Sequence, residues 1–181
     1  MAALFGLGGT LVGAAVSTGA VVWQQRHQAK TAKAQQIEER GRVAGDKVLA
    51  ELYTQRRYLM ECSNEDFRDE NPRWRRTAMK HMDAVELETG LIPLAEEVRK
   101  RVKEAVDLAE SGVIYALRAQ LGATRELGYL FGGCNESIEV VSAYMRGDPL
   151  PAPSHWVEKR KKEVQRGLGR NFPVHHRSGQ N

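Results

Sequence analysis

Apolar positions recur every three or four residues along most of this chain, and each stretch that keeps the period reads as one amphipathic helix. Ile37, Ala44, Val48, Leu52 and Leu59 fall on one side of a first long helix that runs to about Cys62. Trp74, Ala78, Met82 and Val85 make the stripe of a second, opened by Asn71 and Pro72, a pair suited to the N-cap and first helical positions. The phrase "TGLIP" breaks it, because Pro93 has no amide hydrogen and its ring crowds the preceding turn. A third stripe runs through Leu94, Val98, Val102, Ala105 and Ala109 and continues toward "VIYALRAQ". A fourth starts near Thr124 and steps through Leu127, Phe131, Cys134, Ile138, Val141 and Met145. Gly132 and Gly133 interrupt this seam, either for the close approach of a neighbouring helix or as a break. Gly147 then suits a helix C-cap, and Pro149, Pro151 and Pro153 follow. Apolar alternation and tight hairpin turns are almost absent. The expected class is therefore all-α, an antiparallel bundle of three to four long helices with little or no sheet.

The opening of the chain breaks the amphipathic rule. From Ala2 to Trp23 there are 22 residues without one Asp, Glu, Lys, Arg or His, and a helix needs roughly 20 apolar residues to cross the hydrocarbon core. "GLGGTLVG" superficially suggests a phosphate loop. A Walker loop, however, needs Lys and then Ser or Thr after its last glycine, and Gly13 is followed by Ala14 and Ala15. The reading that fits is a transmembrane helix. Trp23 suits the membrane interface, with Arg26, Lys30 and Lys33 beyond it at headgroup level. Two other readings compete, a cleaved secretory signal and a buried or interfacial helix, but no basic residue opens the run as a signal requires. Gly9, Gly13 and Ser17 recur every four residues, a spacing that lets two membrane helices approach closely. Small residues are also simply common in such helices.

Charge adds an orientation. Residues 24–37 hold Arg26, Lys30 and Lys33 and no acid, so the segment after the anchor is expected in the cytoplasm and the N-terminus outside the plasma membrane. The net charge of +4 is uneven. Residues 24–60 carry eight Lys or Arg against four Asp or Glu, residues 61–110 nine against thirteen, and residues 154–181 seven against two. The expected plan is an anchor over 1–23, a cytoplasmic bundle over 24–147, and a Pro-rich linker with a basic tail over 148–181. In "SHWVEKRKKEVQRGL", Lys159, Arg160, Lys161, Lys162 and Arg166 are candidates for contact with anionic lipid. Cys62 and Cys134 read as reduced, buried thiols in a reducing compartment.

Candidate chemistry changes little. No His-Glu-x-x-His, Gly-x-Ser-x-Gly or zinc spacing occurs. His81 and Asp83 are two apart and do not share a helix face, and His175 with His176 lie in a polar end. No catalytic residue, metal ligand, cofactor or small-molecule substrate is expected. "PRWRR" and "EKRKKEVQR" are basic enough for nucleic acid but lack stacking aromatics and a groove-reading motif.

"GGTLVGAAVSTGAVVWQQRHQAK" resembles the N-terminal anchor of kilB-like actinobacterial single-pass membrane proteins, and "LYTQRRYL" resembles their first cytoplasmic helix. "AYMRGDPLP" resembles a helix-ending phrase of actinobacterial helical proteins. The resemblance covers about the first 60 residues and that phrase. It implies a single-pass membrane protein, associated in some members with plasmid spread between cells, and carries over no catalytic residue. Three functions follow as expectations. The first is a membrane-anchored scaffold or interaction protein whose partners are membrane lipids and a second copy or another membrane protein. The others are a membrane-proximal nucleic-acid-binding module and a small pore or lytic accessory protein.

Overall fold

The structure, a computed structural model, describes residues 4–63 and 73–168, and among them the side chains of 23–63 and 73–166. Five helices follow one another: α1 (Leu4–Ser63), α2 (Arg73–Gly90), α3 (Glu96–Arg118), α4 (Ala123–Arg146) and α5 (His155–Leu168). The described residues contain no strand, so the all-α class holds. The expected Asn71–Pro72 helix start lies outside the described residues. So do the side chains of the expected membrane span, Gly9, Gly13 and Ser17 included. Among the described residues no helix is long and apolar enough to cross a membrane.

The chain divides into two compact units, Met1–Arg40 and Gly41–Asn181. In the first, the described side chains are exposed apart from a half-buried Ile37. Trp23 stacks on His27 one turn later, with ring centroids 5.6 Å apart.

The second unit is an up-and-down bundle. Its core draws Val48, Leu52 and Leu59 from α1, Met82 and Val85 from α2, Val102 and Val106 from α3, and Leu130 and Val141 from α4, all fully buried. Each such side chain contributes about 1.5–3 kcal/mol relative to exposure. Contacts give the directions. Gly45 lies against Met145 and Leu52 against Cys134, so α1 runs antiparallel to α4. Gly112 faces Tyr129 and Arg101 pairs with Glu136, so α3 is antiparallel to α4 as well. Arg75 with Glu126 and Met82 with Gly133 make α2 parallel to it.

α4 is the axis of the unit. Three consecutive residues meet all four other helices: Gly132 touches Trp156 of α5, Gly133 touches Ala109 of α3 and Met82 of α2, and Cys134 donates its thiol hydrogen to the Leu52 carbonyl of α1 at 3.2 Å. A Cβ on Gly133 would fall 2.7 Å from that of Ala109 and 2.9 Å from the Ala105 carbonyl. The two glycines therefore serve close approach and leave the helix unbroken. α4 ends as its sequence predicts, with Gly147 left-handed at φ 72° and the Asp148 amide donating to the Ala143 carbonyl at 3.0 Å.

The third stripe needs one correction. Leu94 is no part of it, because α3 begins at Glu96 and Leu94 stands 86% exposed with φ 55°. Pro93 ends the α-helical path as expected, and the chain escapes through a left-handed residue.

Candidate functional site

Two charged pairs lie part-buried between helices, each with its glutamate the buried partner. Arg75 of α2 grips Glu126 of α4 with two bonds, Nε to Oε2 at 2.6 Å and Nη2 to Oε1 at 3.0 Å. Arg101 of α3 meets Glu136 of α4 at 2.6 Å, and its other Nη donates to the Pro151 carbonyl at 2.8 Å. The second oxygen of Glu136 accepts the Ser154 amide at 3.3 Å. This network fastens the Pro-rich stretch between α4 and α5 to the bundle. Ser154 then caps α5, accepting the Val157 amide on Oγ at 3.4 Å.

α5 carries the five basic residues predicted to face an anionic surface, and the structure separates them. Arg160 is withdrawn: it is 4% exposed, its guanidinium lies 4.3 Å from the Tyr129 ring centre, and it pairs with Glu163. Lys161 is tied to Glu104 of α3 at 2.8 Å. Lys159, Lys162 and Arg166 remain exposed. The helix packs inward through Trp156 and Val157, which are spent on the bundle. Arg26, Lys30 and Lys33 are exposed on α1, and Trp23 is 70% exposed.

One titratable cluster is structural. His81 sits against Glu51 through Nδ1, with the Tyr58 ring tilted beside it at 5.9 Å. No group of three or more His, Cys, Asp or Glu is arranged to hold a metal among the described residues. Cys134 has its thiol pushed up to about 12, chiefly by burial, which the neighbouring Arg56 offsets in part. It is a packed, unreactive sulfur. A cleft of about 190 Å³ lies between the end of α2 and the start of α3, lined by Glu86, Thr89, Gly90, Arg99, Val102 and Lys103. Its charged groups are engaged, Lys103 with Glu86 at 2.8 Å and Arg99 with the Ile92 carbonyl.

The feature that periodicity missed is the turn between α2 and α3. Leu87 is 70% exposed and Leu91 62%, beside Leu94 at the same apex. Ile92 between them is fully buried and anchors the turn.

Comparison of the chain with protein-family models, with curated proteins and with solved structures gives no match. What its geometry defines is a class: an all-α bundle centred on α4, with part-buried ion pairs and an apolar apex.

Proposed function

We propose that this chain is a membrane-anchored helical scaffold or interaction protein, neither an enzyme nor a cofactor carrier. The observation that carries the reading is the uncharged run from Ala2 to Trp23 opening a helix, α1, whose later turns belong to the folded unit. Exposed Arg26, Lys30 and Lys33 just past the run support an orientation with the folded unit cytoplasmic. Gly9, Gly13 and Ser17 supply a face for association with a second copy or another membrane helix. The likeness to kilB-like proteins supports a role in plasmid spread. Alkaline carbonate extraction of the full chain tests the anchor. The chain stays in the membrane pellet under this reading, and its release into the soluble fraction overturns it.

Exposed Lys159, Lys162 and Arg166 favour a second reading, a membrane-proximal nucleic-acid-binding module. Filter binding across a salt series decides it, since phosphate contacts make affinity fall steeply with salt.

A further inference from the structure

α5 is seated on the bundle with one of its cations out of place. Trp156, Val157 and Val164 lie on one side of the helix, and exposed Lys159, Lys162 and Arg166 lie on the other. Arg160 and Lys161 stand at the two borders between these sides. At a water boundary such residues reach outward with their charged heads. Seated as it is, α5 instead turns Arg160 inward, 4% exposed over the Tyr129 ring. Its carboxylate partner is Glu163 of the same helix, and its Nε has no hydrogen-bond partner among the described residues. A buried guanidinium with an idle donor is a cost that seating imposes and that an anion relieves.

The tether allows α5 to leave. Left-handed Gly147 ends α4, and residues 148–154 follow, with Pro149, Pro151 and Pro153 among them. A stretch of that length spans at most about 24 Å when extended. α4 ends beside Gly45, at the end of the folded unit where α1 enters it. The tether and the 14 residues of α5 together exceed the largest stand-off that α1 can impose between Trp23 and Arg40, about 26 Å of helix. Departure is opposed by the bonds from Arg101 to the Pro151 carbonyl, from the Ser154 amide to Glu136 and from Lys161 to Glu104. These are polar contacts that water replaces, and Arg101 keeps Glu136. Trp156 and Val157 are the apolar attachments, and a bilayer replaces those.

Nucleic acid would reach Lys159, Lys162 and Arg166 without moving the helix and would leave Arg160 where it is. An anionic bilayer offers an apolar interior to Trp156, Val157 and Val164. It also offers phosphates to all five cations, against the two glutamates Glu158 and Glu163. We infer that α5 exchanges between its seat on α4 and an anionic lipid surface, where Arg160 and Lys161 are freed for phosphate. This rests on the proposed anchor, which keeps the folded unit beside a membrane.

The test uses the full Trp23→Phe chain reconstituted in vesicles, so that core-buried Trp74 and Trp156 are the remaining indoles. Lipids brominated on their acyl chains quench an indole only when it enters the bilayer. Trp156 emission is lost in vesicles containing phosphatidylglycerol and kept in phosphatidylcholine alone. Lys159→Glu with Lys162→Glu and Arg166→Glu abolishes the loss, although none of the three holds α5 on the bundle. Gly132→Ala, which unseats the indole, increases it. Bridging Glu104→Cys to Lys161→Cys with a short bismaleimide also abolishes the loss, which separates release from a bundle resting on the membrane with α5 still seated. The native Cys62 and Cys134 are buried and stay out of that reaction. Equal quenching in both kinds of vesicle, quenching that survives the bridge, or a chain that floats with the vesicles unquenched overturns the exchange and leaves the anchor standing. Binding of single-stranded DNA without quenching overturns it too and assigns the basic face to nucleic acid. A chain that does not float with the vesicles removes the anchor and this inference together.

Discussion

Gly132 of α4 lies so close under the Trp156 indole that a Cβ there would come within 2.1 Å of the ring. The atoms in the way belong to a wide, rigid ring, so a methyl group must displace the indole and with it the seat of α5. Gly132→Ala is expected to lower stability by about 1–3 kcal/mol, as overpacking does. Gly90→Ala is the control, because nothing lies within 4 Å of the added carbon. It should leave stability unchanged or raise it by about 0.4–1 kcal/mol. Urea unfolding of the two variants distinguishes them, and equal midpoints would show that Trp156 is not seated.

Gln55 sits fully buried in α1, and neither its Oε1 nor its Nε2 has a hydrogen-bond partner among the described residues. An orphaned amide costs about 1–3 kcal/mol of desolvation that an apolar side chain of like shape avoids. Gln55→Met should therefore raise the urea midpoint without altering the helical circular dichroism. A lower midpoint would mean that the amide has a partner in solution.

Removing Glu136 leaves Arg101 without its counter-charge and the Ser154 amide without its acceptor. Glu136→Ala is expected to cost about 3–5 kcal/mol. Protease cleavage between Asp148 and Ser154 should rise with it, since that network holds the stretch down. Arg146 and Asp148 form an equally short pair at 2.6 Å on the surface. Asp148→Asn should change stability by less than about 1 kcal/mol, because exposed pairs are screened.

Glu110 of α3 has its carboxyl held above the usual 4.5, first by burial and then by repulsion from Asp83, Asp107 and Glu86, with Lys103 offsetting part. The folded chain thus keeps a proton that the unfolded chain releases, and stability falls as the pH rises through the folded-state value. Glu110→Gln cannot ionise. It should match the wild type below 4.5 and exceed it at neutral pH, as read from urea midpoints across the range. A gain of equal size at both ends would assign the effect to packing instead of ionisation.

Helical periodicity located the bundle because most of its helices bury one stripe. Trp74, Ala78, Met82 and Val85 are all buried, as their spacing requires. α4 escaped a full reading because its buried arc is much wider than one stripe. Leu127 and Cys134 belong to the legible seam, while Leu130, Gly133, Glu136, Ser137 and Val140 bury another side. Glutamates in that set read as solvated until their partners are known, and Arg75 and Arg101 stand 51 and 35 residues away in sequence. Arg160 misled for the same reason: nothing within α5 announces the Tyr129 ring beneath it. The apolar apex was hidden because a turn has no period, so the exposure of Leu91 and Leu94 depends on how buried Ile92 pins the chain between them.

With neighbours on every side at residues 132–134, α4 has a single rotational setting. Turning it by one residue, about 100°, would drive Cys134 toward the place cut for a glycine and pull the indole off its floor. The backbone amides there cannot open singly, since each opening needs four helices to part. They should be the last in the molecule to take up deuterium, reporting the free energy of the whole unit.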